Sequence, residues 1–325
     1  MEYKLVDFKT PVHNDWCAGC GDFGILNAIQ MSLYELEIAP HQAAIFSGIG
    51  CSGKTPHFIN TFGIHTLHGR VLPFAQGAKL ANPNLKILAV GGDGDGLGIG
   101  SGHFVNSGRR NIDITYIIYN NGVYGLTKGQ ASPTLKLGMK TKSLPQPNVN
   151  DSINPIALAC ISGFTYIARG YSYDIKHLKE VIKKGIEHGG LSFIDVLQPC
   201  PTYNDINTKE WYQSFTLDEN NPSIRIPKIY KLEEEGYNGV VDNDEDSSDK
   251  IIKAIEKSKE WENRIPVGVF YENKNTPTYE ERLQSRIDNY KEYPPALQTI
   301  KDENGNPNIN IDRLIDELKT RWLVT

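Results

Sequence analysis

Short apolar runs of strand type alternate with helical patterns through the first two hundred residues, and this alternation limits the folds that the chain can adopt. After Gly21, apolar residues from Phe23 to Leu36 recur at the three- and four-residue spacing of a helix. Strands separated by helices form parallel sheets, because each crossover helix returns the chain to the same end of the sheet. The sequence therefore predicts a doubly wound α/β fold with a mostly parallel sheet. The predicted strands are 43–47, 86–91, 113–119, 164–168 and 192–197, and the predicted helices are 98–109, 155–162 and 175–188.

Four of these strands are followed by short segments rich in glycine, proline, acids or thiols. GIGC follows AAIFS, GGDGDG follows ILAV, NNGVYG follows TYIIY, and PCP follows FIDVLQ. Ligands of parallel α/β sheets bind beyond the carboxyl ends of the strands. The sequence therefore predicts one composite site built from these four segments.

The charge balance and the apolar runs exclude several classes of protein. Lys and Arg number 34 against 39 Asp and Glu, so the formal net charge of the 325 residues is −5, which provides no footprint for a nucleic-acid backbone. The apolar runs are far shorter than the roughly 18 residues that span a bilayer. The first ten residues, MEYKLVDFKT, contain neither the basic nor the apolar region of an export signal. We expect a soluble cytoplasmic protein without nucleic-acid or membrane partners.

The composition changes after Trp211, where charged residues become more frequent and glycine becomes rarer. An acidic stretch at 242–249 begins a helical pattern with later lysines, and PVGVFY is typical of a strand. A final amphipathic segment has one apolar face, formed by Ile311, Leu314, Ile315, Leu318 and Trp322. The sequence predicts a ligand-binding domain over 1–211 and an extension over 212–325 that contacts a partner.

An acid and an amide follow neighbouring predicted strands. Asp93 lies in the glycine-rich turn after the second strand, and Asn120 and Asn121 follow the third. Oxygen ligands of this kind suit Mg²⁺, which can bridge to a diphosphate. No glycine in residues 91–102 satisfies the G-x-G-x-x-G dinucleotide fingerprint, so a nicotinamide site is disfavoured. The alternative is that GDG and NNG, each taken alone, are ordinary turns.

The five cysteines do not indicate a disulfide framework, because no export signal is visible. Cys160 lies in the apolar run IALACISG and is interpreted as a core thiol. Cys17 and Cys20 form a CxxC pair, and Cys51 and Cys200 could complete the four-thiolate shell of an iron–sulfur cluster. Structural zinc remains open, whereas a thioredoxin-type pair would need a preceding strand.

Residues 48–55 match the P-loop pattern G-x-x-x-x-G-K-[ST] after a predicted strand. Such a loop opens a long helix, but Pro56 follows at once, and Gly63 and Gly69 interrupt the continuation. A P-loop nucleoside triphosphatase is therefore the second functional hypothesis. The third is an electron-transfer or zinc-stabilised subunit without an organic cofactor.

The motifs WCAGCGDFGIL, FSGIGCSGK, HTLHGR, GGDGDGLGIG, NNGVYGLTKGQASPT, QPCPTYN and PTYEERL occur in this order over about residues 12–210 and 265–283. Together they resemble the beta subunit of archaeal and bacterial 2-oxoacid:ferredoxin oxidoreductases, which carry thiamine diphosphate and a 4Fe-4S cluster. The resemblance implies the thiamine diphosphate-binding fold. It also implies that the P-loop match at residues 48–55 is a coincidence. Residues after about 285 carry no firm resemblance.

The resemblance also implies a role for each matching residue. The four ligands of the 4Fe-4S cluster would be Cys17, Cys20, Cys51 and Cys200. The Mg²⁺ ligands would be Asp93, Asn121 and the main-chain carbonyl of Val123. The residues lining thiamine diphosphate would be Ile49, Gly50, Cys51, Ser52, His68 (in preference to His65), Gly94, Asp95, Gly125 and Leu126. Lys54 would lie near the substrate carboxylate, and Leu126 and Lys128 would shape the substrate pocket.

The implied activity is the coenzyme A-dependent oxidative decarboxylation of a 2-oxoacid, with electrons passing through the cluster to ferredoxin. No acid of this chain matches the cofactor-activating glutamate of the family, so that residue belongs to an alpha, or fused gamma–alpha, partner subunit. The chain should therefore be active only in a heteromer. Lys54 and Lys128 favour a substrate range that includes 2-oxoglutarate beside pyruvate.

Overall fold

One sheet of eight strands forms the centre of the molecule, and its strand order is β11-β12-β7-β8-β4-β3-β1-β2. The computed structural model describes residues 3–218, 221–243, 246–308 and 311–322. The strands are β1 Ala43–Ser47, β2 Phe62–His65, β3 Lys86–Gly92, β4 Ile114–Asn120, β5 Val123–Tyr124, β6 Gln130–Ala131, β7 Tyr166–Tyr171, β8 Leu191–Leu197, β9 Phe215–Leu217, β10 Arg225–Pro227, β11 Ile229–Lys231 and β12 Ile265–Glu272. The helices are α1 Asp22–Glu35, α2 Thr55–Phe58, α3 Val71–Ala81, α4 Ser101–Gly108, α5 Pro155–Ser162, α6 Ile175–Glu187, α7 Lys209–Tyr212, α8 Ser247–Ser258, α9 Tyr279–Gln284 and α10 Ile311–Trp322.

The sheet is mostly parallel, as the sequence predicts. Every neighbouring pair of its strands is parallel except β12 with β7. All five predicted strands are present, and β1 matches its prediction at both ends. The largest shift is at β7, which starts two residues late because Gly163 ends α5 in the left-handed region, at φ +89°, and Phe164 packs into the core.

Helices cover both faces of the sheet. Alternate strand residues point to opposite faces, so Phe46 packs in the cluster that contains Leu72 of α3, and Ile45 packs in the cluster that contains Ile29 of α1. Strands buried on both faces are continuously apolar, and β1, AAIFS, is buried at all five positions. The result is a three-layer arrangement in which the strand ends remain free to form a site.

The P-loop hypothesis requires a long helix after Lys54, and the structure does not contain one there. Helix α2 has four residues and ends before Ile59, whose backbone is extended. The chain then forms the edge strand β2, which the sequence analysis did not predict. Helix α3 was also missed, although Pro73 lies in its first turn, where proline removes no intrahelical hydrogen bond.

Part of the predicted extension belongs to the main sheet. β11 and β12 occupy one end of the strand order, and Ala254 of α8 is fully buried in the central core. The division at residue 211 stays a prediction. The predicted last helix is present as α10, in which Ile315 and Leu318 are 40% and 49% exposed. The side chains of Ile311, Leu314 and Trp322, like residues 244 and 245 of the acidic stretch, lie outside the described residues.

None of the helices in the described part of the chain combines the length and apolar character needed to cross a membrane.

Replacing Gly24 with alanine should lower the free energy of unfolding by about 2 kcal/mol, the usual cost of overpacking. Gly24 lies in the first turn of α1, where a Cβ atom would be 1.8 Å from the carbonyl oxygen of Ser172. A backbone atom cannot move aside as a flexible side chain can. The control is Gly77→Ala in α3, where a Cβ would meet nothing within 4 Å; it should stabilise the chain by up to about 1 kcal/mol. Urea denaturation measures the free energy of unfolding of both variants. A change of the same sign in the two variants would contradict this account.

Candidate functional site

A cavity of about 80 Å³ lies beyond the carboxyl ends of β1, β3 and β4. Its lining consists of residues 49–52, 92–95 and 123–127 together with Asp22, His68, Tyr119 and Asn121. These are the loops that follow neighbouring parallel strands, which end at the same edge of the sheet. The structure therefore brings three of the four predicted strand-end segments to one cavity.

The cavity contains every residue predicted to line thiamine diphosphate or to bind Mg²⁺. These are Ile49, Gly50, Cys51, Ser52, His68, Asp93, Gly94, Asp95, Asn121, Val123, Gly125 and Leu126. Lys54, Lys128, Cys17, Cys20 and Cys200 are not among the described residues that line it. The roles assigned to all of these residues stay predictions, since the geometry shows proximity and no ligand is present.

Asp95 fixes the loop after β1 against the glycine-rich turn. Its Oδ1 atom accepts hydrogen bonds from the backbone N–H groups of Ile49, at 3.0 Å, and Gly69, at 2.8 Å. A Cβ atom on Gly48 would lie 1.9 Å from Asp95 Oδ2, so only glycine fits there. Burial raises the pKa of Asp95, and the Oδ2 atom has no hydrogen-bond partner among the described residues. This oxygen therefore lies buried against Gly48 without a donor from the described part of the chain.

Asp93 is buried and firmly oriented. Its Oδ2 atom accepts hydrogen bonds from the backbone N–H of Gly122, at 3.0 Å, from the Ser132 hydroxyl, at 2.5 Å, and from the Thr134 hydroxyl. Burial raises the pKa of Asp93, and these donors oppose the rise. The sequence analysis missed Ser132 and Thr134, which lie in the ASPT segment after the asparagine turn.

A hydrogen-bonded chain connects the asparagine turn to the CxxC pair. Asn121 Oδ1 accepts from the backbone N–H of Val123, at 2.9 Å, and Asn121 Nδ2 donates to Gln198 Oε1, at 2.7 Å. Gln198 Nε2 in turn donates to Cys20 Sγ, at 3.2 Å. The sequence analysis did not assign Gln198, whose position directly before the PCP segment was the available signal.

Four of the five cysteines come together beside this cavity. The backbone N–H of Cys20 donates to the Cys17 carbonyl, at 3.0 Å, and Gly21 N–H donates to the Pro199 carbonyl, at 3.2 Å, next to Cys200. Burial, and after it the charge of Asp22, raises the pKa of the Cys20 thiol, and the neighbouring Cys200 and Cys51 add to the rise. Burial also raises the pKa of Cys51, to about 12, and that of Cys200. Cys160 is separate and buried in the core beside α5, in agreement with its interpretation.

The described residues contain no group of three or more His, Cys, Asp or Glu side chains arranged to hold a metal ion as they stand. The four thiols are neighbours, but they are not in coordination geometry. Because burial disfavours the thiolate form, a bound metal would have to supply the compensating charge.

The two histidines of HTLHGR have different surroundings. His65 Nδ1 lies 2.9 Å from Ser47 Oγ and 2.8 Å from the Gly53 carbonyl oxygen, which is a satisfied structural arrangement. His68 lines the cavity, with Nδ1 at 3.3 Å from Asp95 Oδ1.

The two predicted substrate lysines are outside the cavity lining. Lys54 Nζ forms an ion pair with Asp15 Oδ2, at 2.6 Å. Lys128 is exposed and has a positive φ of 78°, on the loop that carries the exposed Leu126. Their roles toward the substrate stay predictions.

Asp22 is a lining residue that the sequence analysis did not assign, although it directly follows the CxxCG segment. Its carboxylate is buried, and neither oxygen has a hydrogen-bond partner among the described residues. Burial raises the pKa of Asp22 from 3.8 to about 7. The folded state therefore favours the protonated acid.

Replacing Asp22 with asparagine should stabilise the cluster-free chain increasingly as the pH rises. The folded pKa of Asp22 exceeds the unfolded value, so the native state binds more protons and stability is lost as the pH rises from about 4 to about 7. Above about pH 7 the full cost remains. Asparagine carries no charge, so the stability difference in its favour should grow by about 2 kcal/mol or more between pH 5 and pH 8. Urea denaturation in reducing buffer at both pH values measures this difference. Asp151→Asn, at an exposed position, is the control. If the stability difference between Asp22→Asn and the unaltered chain does not change with pH, the raised pKa of Asp22 is refuted.

Comparison with known proteins assigns this chain to a family. The family described as thiamine pyrophosphate enzyme, C-terminal TPP binding domain, matches residues 48–196. The chain is 56% identical over 307 residues to the 2-oxoacid:ferredoxin oxidoreductase subunit beta of Saccharolobus solfataricus, covering 94% of this chain and 96% of that protein. The chain belongs to the family of 2-oxoacid:ferredoxin oxidoreductase beta subunits.

Further comparisons extend this assignment to beta-subunit relatives and a solved structure. The chain is 53% identical to 2-oxoacid:ferredoxin oxidoreductase 1, subunit beta, of Aeropyrum pernix, covering 95% of this chain and 93% of that protein. The family described as the C-terminal part of the pyruvate ferredoxin oxidoreductase beta subunit matches residues 200–287. The solved structure of 2-oxoglutarate:ferredoxin oxidoreductase from Magnetococcus marinus, with 2-oxoglutarate, coenzyme A and succinyl-CoA bound, superposes with a TM-score of 0.78 at 31% identity, covering 97% of this chain and 96% of that chain. The predicted family and fold class are confirmed.

Proposed function

We propose that this beta subunit, together with an alpha subunit, oxidises 2-oxoacids to acyl-coenzyme A and CO₂ and passes the electrons to ferredoxin. The observation that carries the proposal is the adjacency of two sites. One site is a strand-end cavity lined by three buried aspartates, and the other is a set of four neighbouring cysteines. The two sites share Cys51 and are connected through Asn121, Gln198 and Cys20.

The cavity lining fits a diphosphate held through a divalent cation. Among the described residues that line it, none is lysine or arginine, whereas Asp22, Asp93 and Asp95 contribute carboxylates. A diphosphate beside these acids would be repelled unless a cation lay between them. Carboxylate, amide and backbone oxygens are the ligands that Mg²⁺ accepts. We therefore assign Asp93, Asn121 and the Val123 carbonyl to Mg²⁺, as the sequence implied.

When bound, thiamine diphosphate would provide the nucleophilic carbon and the electron sink that decarboxylation of a 2-oxoacid requires. The chain's own residues would position it. Gly92 would let the diphosphate approach the backbone closely, since a Cβ atom there would meet only Ser52 Oγ, at 3.6 Å, and the unpartnered Ser52 hydroxyl would provide a polar contact. His68 lies beside Asp95 and would be the histidine that contacts the cofactor.

The four neighbouring thiols fit an iron–sulfur cluster in chemistry, and we propose a 4Fe-4S cluster on Cys17, Cys20, Cys51 and Cys200. Cysteine thiolates are the usual ligands of such clusters, whose potentials depend on burial and on hydrogen bonds to sulfur. The Gln198 amide already donates one such hydrogen bond to Cys20. Cys51 belongs to both sites, and a Cβ atom on Gly125 would lie 3.0 Å from its sulfur, so the thiol packs directly against the loop that lines the cofactor cavity.

The cavity of about 80 Å³ formed by this chain is small, since ligand sites of this class usually enclose several hundred Å³. A partner must complete it. Large apolar side chains are exposed on the edge strand β2 and in the segments after it, namely Phe62, Ile64, Leu67, Phe74 and Ile99. An exposed apolar edge strand is a typical protein-interaction surface. We propose that this surface is covered by the alpha subunit, which also supplies the acid that activates the cofactor.

Lys128→Ala should change the substrate preference. An exposed lysine beside the lining residue Thr127 can pair with the distal carboxylate of 2-oxoglutarate, which pyruvate lacks. The ratio of kcat/KM for 2-oxoglutarate over pyruvate should fall about tenfold, the effect of one charge-assisted contact. Lys140→Ala, at another exposed position, should leave the ratio unchanged. An unaltered ratio in Lys128→Ala would remove this residue from substrate selection.

The test of the proposed function is steady-state reduction of ferredoxin by the alpha–beta complex, prepared without oxygen. We expect reduction that requires both a 2-oxoacid and coenzyme A and stops when either is omitted. The chain without its partner should be inactive in the same assay. Failure of every 2-oxoacid to reduce ferredoxin in an intact complex would refute the proposal, and hydrolysis of nucleoside triphosphate by the chain alone would restore the P-loop hypothesis.

A further inference from the structure

A second cavity, of about 210 Å³, lies between the loop after β4 and the end of α8. Arg169 of β7 lines it and is only 2% exposed. Arg169 Nε donates to Asp195 Oδ2, at 2.9 Å, but its Nη1 has no hydrogen-bond partner among the described residues. A buried guanidinium N–H without an acceptor costs free energy, so this position calls for an acceptor that the chain does not provide.

Two further buried donors without a partner line the same cavity. They are Asn207 Nδ2 and Trp261 Nε1. Among the described residues that line this cavity, three buried polar side-chain atoms therefore lack a hydrogen-bond partner. All three are N–H donors. Buried polar groups in native proteins are nearly always paired, so three unpaired donors around one cavity indicate a bound acceptor.

The charged side chains that line the cavity are cations, which suit an anionic acceptor. Lys136 and Lys259 also line the cavity, and no acid does among the described lining residues. Asp195 is the acid that pairs with Arg169, and both of its oxygens already accept hydrogen bonds. One accepts from Arg169 Nε, and the other accepts from Asn120 Nδ2, at 2.8 Å. Lys136 pairs with Glu262, at 2.6 Å, at the rim. The described lining therefore contains three cations and no acid, with Arg169 and Lys136 each paired with one acid outside the lining, and it is rich in donors.

We propose that this cavity binds a phosphate group, either as free inorganic phosphate or as the end of a phosphate monoester. The donors come from β7, from the segment before α7, from the segment after α8 and from the loop that carries Lys136, so they surround the space on several sides. A tetrahedral phosphate offers acceptor oxygens in several directions, whereas a carboxylate offers two in one plane. The proposal is independent of the thiamine diphosphate assignment.

Three substitutions test the site without removing the charge that faces Asp195. Arg169→Lys keeps a cation beside this buried acid but loses the guanidinium fork. Trp261→Phe keeps an aromatic ring near Arg169, which lies 5.6 Å from the ring centroid, but loses the Nε1 donor. Lys259→Gln removes a rim charge at the end of α8, and Lys253→Gln on the exposed face of the same helix is its matched control.

The experiment is calorimetric titration of inorganic phosphate into the alpha–beta complex. The complex is first saturated with thiamine diphosphate and Mg²⁺, because Asn121 lines both cavities and phosphate could otherwise enter the first. We expect saturable binding at one site per beta chain, weakened at least about tenfold by Arg169→Lys, and by a factor of about three to ten by Trp261→Phe and Lys259→Gln. Lys253→Gln should bind as the unaltered complex does.

A parallel titration with glycerol phosphate distinguishes the two sources of the phosphate group. Tighter binding of glycerol phosphate than of inorganic phosphate would support a site for an organic phosphate, and binding of inorganic phosphate alone would support a site for the free ion. Absence of saturation up to about 10 mM of either ligand would overturn the proposal. So would binding that Trp261→Phe and Lys259→Gln leave unchanged, and these two variants decide the question if Arg169→Lys does not fold.

Discussion

Replacing Asp93 with alanine should abolish 2-oxoacid oxidation and thiamine diphosphate retention while leaving the iron–sulfur absorbance unchanged. Asp93 is the buried acid that three donors orient at the cavity, and we assign it to Mg²⁺. Without its carboxylate the cation has no anionic ligand among the three assigned to it, and the diphosphate then faces Asp95 without a counter-charge. We expect kcat/KM to fall at least about a hundredfold and the bound cofactor and magnesium to be lost. Cofactor content, magnesium content and ferredoxin reduction measure the effect on one sample.

The conservative variant Asp93→Asn separates a metal role from a structural one. Asparagine retains an oxygen that can accept from Gly122, Ser132 or Thr134, so the fold should persist, but it lacks the negative charge. We expect this variant to unfold at nearly the same urea concentration as the unaltered chain and still to lose the cofactor. Oxidation of 2-oxoacids that survives Asp93→Ala would show that the Mg²⁺ assignment is wrong.

Replacing Cys200 with alanine should remove the cluster and the electron path. Cys200 is a buried thiol next to Cys20 and Cys51, and burial raises its pKa, so it would become a thiolate only through metal coordination. We expect the iron content to fall from about four atoms per chain to near zero and ferredoxin reduction to fall at least about a hundredfold. Iron and sulfide assays on protein prepared without oxygen measure this directly.

Cys160 provides the matched control for this substitution. It is also a buried thiol, 4% exposed, but it lies in the core beside α5 and away from the other four cysteines. Cys160→Ala should cost about 1 kcal/mol of stability, as small losses of core volume do, and should retain all of the iron. Equal iron content in the two variants would contradict the assignment of the cluster ligands.

The parts of the fold that the sequence predicted are those in which local pattern and tertiary structure agree. β1 was predicted to the residue because AAIFS is buried on both faces and ends at a glycine. α5 was predicted to the residue because Pro155 follows the N-cap Asn154 and Gly163 ends the helix. In both elements the local signal and the buried environment require the same residues.

The elements that were missed depend on partners distant in sequence. β2 exists as a strand because it pairs with β1, while its own four residues are all exposed and show no buried face. α3 contains Pro73 and Gly77, which weaken its helical pattern, and its stability comes from packing against the sheet. β12 itself was predicted from PVGVFY, but its pairing with β7 was not. This is the only antiparallel pair of the main sheet among the described strands, and no local signal specifies it.

For the candidate site, too, the sequence predicted the residues at strand ends but not the long-range contacts that orient them. The positions of Asp93, Asn121 and Cys51 follow from strand ends, so the sequence could bring them together. The contacts that orient them, from Thr134 to Asp93 and from Gln198 to Asn121 and Cys20, join segments 41 to 178 residues apart. Such contacts are set by the register of the sheet, which a single sequence does not reveal. The ion pair of Lys54 with Asp15 is another example.

The most direct test of the central claim is the visible spectrum of the alpha–beta complex, prepared without oxygen, before and after addition of 2-oxoglutarate and coenzyme A. The account predicts a coloured protein with about four irons per beta chain, whose broad absorbance is bleached by the two substrates together and restored by oxidised ferredoxin. A colourless protein that contains zinc or no metal, or a coloured protein whose absorbance the substrates do not change, would contradict it.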